Sequence, residues 1–180
     1  MLFRGFRRPS LLPRLLSERR GGAAIEFAIC GTAFIGLLVA TLQIVLVFFV
    51  QQTIQTAAEN VARRVLTGQI TTLNTNQAQF KAAACAQLPS YMSCSKLFVD
   101  VRNANDFGQI DTSTIALTYD AAGNINNSWQ YSPGSPGSIV ILRLLYMWPI
   151  SSAPLGFNIG NQSNGSRLVI GTMVFKSELY

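Results

Sequence analysis

At 180 residues the chain has room for one domain, or for one domain with an anchor. Apolar residues make up 49% of it and charged residues only 12%, a low charge density for a freely soluble protein of this size. The sequence has no histidine, which removes the usual general base, the common catalytic triads and the commonest zinc sites. It also has no phosphate-binding glycine loop, and its acids outside the apolar run show no metal-ligand spacing. The expectation is a protein that is not an enzyme and takes no cofactor, metal or small-molecule substrate.

The formal net charge of +6 is concentrated at the N-terminus. Arg4, Arg7, Arg8, Arg14, Arg19 and Arg20 all precede residue 21, and Glu18 is the single acid among them. Residues 69–180 are nearly balanced, with six basic groups against five acids. A basic arm can bind nucleic acid. Placed directly ahead of a long apolar run it reads instead as a topology signal, and no nucleic-acid partner is expected.

That run spans 28 residues from Ala23 to Val50, interrupted by Glu26, Thr32, Thr41 and Gln43. A bilayer core of about 30 Å needs roughly 20 helical residues to cross it. The run exceeds the roughly 7–15 apolar residues of a removable secretory signal. With six Arg before it and no Lys or Arg from Gly21 to Asn60, the positive-inside rule puts residues 1–20 in the cytoplasm. The expected location is a bacterial inner membrane, crossed once at residues 22–50, with lipid as a partner.

The helix continues past the apolar run. No proline occurs between Pro13 and Pro89, and after Gly36 the next glycine is Gly68. Beyond Val50, the residues Ile54, Ala57, Ala58, Val61, Ala62, Val65 and Leu66 recur with helical spacing and make one apolar stripe. Gln55, Glu59, Arg63 and Arg64 fall on the other side, and Gly68 suits a C-cap. A helix over 22–67 would be about 70 Å long at about 1.5 Å per residue.

Residues 69–180 read as a small extracytoplasmic domain. Thr75 is a candidate cap for a short helix over 76–88, ended by Pro89. Four strand-like runs follow: Lys96–Arg102, Thr114–Tyr119, Ser138–Trp148 and Leu168–Lys176. The expected fold class is α+β, a long helix whose amphipathic half (51–68) packs on a small antiparallel sheet of about four strands. Cys30 reads as a small apolar residue of the span. Cys85 and Cys94 lie nine apart in a segment placed outside the cytoplasm, where disulfides persist, and are expected to pair.

Glu26 lies near the start of the apolar run, where a carboxylate is costly unless it stays at the interface or finds a partner. It reads either as a headgroup-level residue favoured by the helix dipole or as an assembly residue. The surrounding Arg19-Arg20-Gly21-Gly22-Ala23-Ala24-Ile25-Glu26-Phe27 resembles a prepilin-peptidase site of the type IV pilin superfamily. A cut after Gly21 would make Gly22 the first residue and Glu26 the fifth, the place where that superfamily pairs a Glu with a neighbouring subunit's N-terminal ammonium group.

The run Gly22-Ala-Ala-Ile-Glu-Phe-Ala is similar to the start of the TadE-like pseudopilins, or minor pilins, of Tad (Flp-type) pilus systems. The stretch from Ala57 to Gly68, AAENVARRVLTG, resembles the end of that family's long helix, and VILRLLYMWP and the C-terminal VFKSELY also resemble it. Lys176, Ser177 and Leu179 depart from the family's usual tail. The resemblance implies a pilin-like fold and a cleaved leader over 1–21. It also implies partners: a prepilin peptidase, other pilins or pseudopilins and the Tad secretion machinery. Its implied role is pilus biogenesis and surface adhesion. The alternative is an unprocessed, signal-anchored periplasmic binding or scaffold protein of an envelope complex.

Overall fold

The computed structural model describes residues 21–66, 75–110, 113, 115–121, 123–150 and 156–177. The basic leader over 1–20, the Gly68 cap and the last three residues of the C-terminal motif lie outside the described residues.

Helix α1 runs unbroken through Gly22–Leu66, 45 residues. That is about 67 Å at about 1.5 Å per residue. Its two halves differ in exposure. Most large apolar side chains from Ile25 to Phe49 are bare, with Phe27 79% exposed and Val47 the first to be buried. From Val50 onward one stripe is buried: Val50, Ile54, Ala57, Ala58, Val61, Ala62 and Val65. Covering a Val or Ile side chain contributes about 1.5–3 kcal/mol, so this stripe is the main hold between helix and domain. Leu66, the last residue of the expected stripe, is only partly buried.

A short helix α2 follows at Gln77–Cys85. Its cap is Asn76 rather than Thr75. The Asn76 side chain accepts the Gln79 N–H, and the Gln79 side chain accepts the Asn76 N–H, closing a capping box. The helix ends at Cys85, short of Leu88. Its exit tightens into three-residue turns, Gln87 N–H to Ala84 O and Leu88 N–H to Cys85 O, before Pro89, which disfavours a helical residue ahead of it.

Strands β1 (Leu97–Ala104), β2 (Ile139–Trp148) and β3 (Arg167–Lys176) form an antiparallel sheet in the order β1-β2-β3. The register sets Leu97 against Tyr146 and Tyr146 against Val169, and at the other end Asn103 against Val140 and Val140 against Phe175. Alternation then puts Leu97, Val99, Val101, Val140, Leu142, Leu144, Tyr146, Val169 and Phe175 in one core with α1, Phe80 and Ala84. The central strand is buried on both faces up to Met147, which accounts for its nearly continuous apolar sequence.

The sheet has three strands where four runs suggested themselves. Of Thr114–Tyr119, the described residues 115–119 form only one bridge, Tyr119 to Ile125. The physical reason is that neither sheet edge is open. Beside β1, Val101 N–H donates to Gln130 O (2.9 Å) and Ser132 N–H to Val101 O (2.8 Å), so residues 130–132 run along that edge. Beside β3 stand two glutamines of α1. Gln51 Nε2 donates to Ile170 O (2.9 Å). Gln55 both accepts from Thr172 N–H (3.2 Å) and donates to Thr172 O (3.3 Å). The Gln55 amide thus stands where a neighbouring strand's peptide would, and an edge that could template aggregation is closed.

Candidate functional site

The residues singled out from the sequence fall into two places. Gly21 immediately precedes α1 and Gly22 is its first residue, both exposed and with open space around each α-carbon. Glu26 lies four residues after Gly22, one helical turn on and on the same face. Glu26 is exposed and has no ion-pair or hydrogen-bond partner among the described residues. Phe27, next to it, is the barest of the large apolar side chains among the described residues. The Gly21–Gly22 peptide is therefore accessible, and the first turns of α1 carry a carboxylate in otherwise apolar surroundings.

The apolar half of α1 is long and apolar enough to cross a membrane. Its threonines make few demands on such surroundings. Thr32 Oγ1 donates to Ala28 O (2.7 Å) and Thr41 Oγ1 to Leu37 O (2.9 Å), so both hydroxyls are satisfied within the helix. Cys30 is exposed on the same stretch.

Cys85 and Cys94 form the second place. They are joined, with α-carbons 5.5 Å apart, and close a loop between the end of α2 and the start of β1. The loop is anchored from inside by buried Met92 and by Ser93, whose N–H donates to the Tyr146 hydroxyl (3.0 Å). Burial pushes the Tyr146 phenol above its usual range, while the Ser93 N–H draws it part of the way back. At the loop's tip Tyr91 stacks on Phe49 of α1, ring centroids 6.3 Å apart. The disulfide loop therefore lies against the helix at the point where the bare apolar half meets the clasped half.

Two groups of residues escaped the sequence reading. Gln51 and Gln55 were absent from the stripe or assigned to its polar side, yet Gln55 is half-buried on the β3 edge while Glu59 and Arg63 face outward. The available signal was their four-residue spacing beside Val50, Ile54 and Ala58. The second group is Asp100 and Arg102 on the sheet face away from α1. Asp100 is fully buried, receives Arg102 Nε at 2.8 Å and accepts the Gln130 N–H at 3.1 Å. This pair fastens the 130–132 segment to β1 and makes no cleft of its own. Among the described residues no group of three His, Cys, Asp or Glu side chains is placed to hold a metal ion.

Residues 21–63 match the family model described as TadE-like protein. The match begins at the Gly21–Gly22 junction and ends within the part of α1 that is clasped by the sheet, so the sheet lies outside it. No curated protein and no solved structure matches the chain.

Proposed function

We propose that this chain is a pseudopilin-type subunit of a Tad pilus system, acting in pilus biogenesis and surface adhesion. The observation that carries the reading is the TadE-like match over residues 21–63. It coincides with a single helix that has a bare apolar half, an accessible glycine junction and one carboxylate four residues beyond it. Residues 1–21 form the cytoplasmic leader, 22–50 span the inner membrane, and the rest of the chain lies in the periplasm. A prepilin peptidase cuts after Gly21, which lowers the formal charge from +6 to +1 and removes the cations that set topology. The anchor is then the helix alone, and Glu26 pairs with the new terminal ammonium group of a neighbouring pilin or pseudopilin.

The role is structural rather than catalytic. The lack of histidine supports this, as does the buried Asp100 carboxylate, which serves to fasten a loop to a strand. Glu26→Ala tests the assembly role. The apolar span suffices for insertion without it, so the variant should reach the membrane in normal amount and lose piliation. Normal piliation in that variant would remove the assembly role.

A further inference from the structure

The domain is joined to the apolar half of α1 without a spacer. Val47 and Val50 are already buried against it, while Phe48 and Phe49 between them stay bare. The helix bonding Gln51 to Ile170 and Gln55 to Thr172 runs alongside β3 in the same direction. One end of the domain therefore faces back along the apolar half. At that end the register places the start of β1, the end of β2 and the start of β3. The disulfide loop sits there too, with Tyr91 54% exposed on the Phe49 ring.

Helical rise fixes the depth. From Glu26 to Phe49 the axis advances about 35 Å, slightly more than a hydrocarbon core of about 30 Å. With Glu26 at one headgroup layer, the Phe48, Phe49 and Tyr91 rings fall at the other. An amphipathic tyrosine is suited to that layer, its ring among the upper acyl chains and its hydroxyl in the wet zone.

Charge at this end is suitable as well. Lys96 directly precedes β1 and Arg167 opens β3, the latter with Nη1 donating to Ile159 O (2.8 Å). The Asp120–Asn124 turn, held by Asn124 N–H on Asp120 Oδ1 (2.8 Å), brings an acid near this end, since Asn124 and Lys96 line the same shallow surface depression.

We infer that the disulfide-closed loop, through Tyr91 stacked on Phe49, rests on the outer headgroup layer of the membrane and holds the domain down on lipid. The inference rests on the membrane-spanning reading of residues 22–50. The loop is a foot, and the Cys85–Cys94 bond and the Ser93–Tyr146 hydrogen bond keep it in shape under the domain.

The test uses the full chain in vesicles of phosphatidylethanolamine and phosphatidylglycerol, with acyl chains brominated either near the headgroup or near the chain end. Tyr91→Trp adds one indole, isolated by subtracting the wild-type emission of Trp129 and Trp148. Its emission should lose roughly half its intensity with the shallow bromines and little with the deep ones. Leu38→Trp, at mid-span, is the companion variant and should show the reverse order. Deep quenching of Leu38→Trp together with an unquenched Tyr91→Trp would overturn the docking and leave the span intact. Quenching of neither variant would overturn both the span and the docking.

Discussion

Gly171 of β3 lies directly beneath Ile54 of α1: a β-carbon at Gly171 would come within 2.7 Å of the Ile54 carbonyl oxygen and 3.0 Å of its Cγ2. The helix backbone comes close to the strand there because Gly171 carries no side chain. This contact lies between the two glutamine clasps, Gln51 on Ile170 and Gln55 on Thr172. Gly171→Val should therefore lift the helix from β3 and cost about 2–3 kcal/mol. Thermal unfolding of the purified protein measures it. Gly108→Ala, where added atoms meet open space, should leave the midpoint where it was.

The small residues of the stripe serve the same close approach. Val61 is fully buried, whereas Arg63 faces outward. Val61→Asp would bury a charge in an apolar seam, at a cost of several kcal/mol. It should expose the domain to proteolysis at temperatures where Arg63→Asp remains resistant. Equal sensitivity of the two variants would mean that the helix does not pack on the sheet.

The Cys85–Cys94 bond closes a ten-residue loop, and its removal should cost roughly 2–3 kcal/mol. Alkylation of the denatured protein followed by mass measurement should find one reactive thiol, Cys30, without reductant and three with it. Three labelled thiols without reductant would contradict both the bond and the extracytoplasmic placement of the loop.

Burial raises the phenol pKa values of Tyr131 and Tyr146 above their ordinary value of 10.0. The folded state thus holds these protons more tightly than the unfolded state does. The resulting stability is complete below about pH 10 and is lost as pH rises through the folded values. Unfolding midpoints should fall above about pH 10, and less steeply in Tyr146→Phe. The Tyr131 hydroxyl is buried without a hydrogen-bond partner among the described residues, so Tyr131→Phe should match or exceed wild-type stability at neutral pH.

Much of the architecture was legible because it rests on periodicity over long segments. The helix bounds, Gly22 and Leu66, lie within a residue of those expected from the gap between prolines and the Ile54–Val65 stripe. The ten-residue β2 announced itself through an apolar run too continuous for a half-exposed strand. The edges were illegible. Side-chain amides at Gln51 and Gln55 stand in for a strand, and a Pro-, Gly- and Ser-rich segment around Gln130–Ser132 supplies the other flank. The four-residue spacing of the glutamines places them beside the stripe but does not reveal that they bond a strand edge, and the 130–132 flank has no local signature, so Thr114–Tyr119 reads as a fourth strand. At the N-terminal site the sequence pattern carried the whole reading. Position and exposure of Gly21, Gly22 and Glu26 add accessibility, while the charge that Glu26 would meet belongs to another molecule.

On the proposed function, residues 1–21 are a leader removed at the Gly21–Gly22 bond. The most direct measurement is the intact mass of the protein from membranes of cells with and without an active prepilin peptidase. The protein should begin at Gly22 in the first case and still carry Met1–Gly21 in the second. A mature protein that retains Met1–Gly21 where the peptidase is active would contradict it and leave an unprocessed, signal-anchored envelope protein.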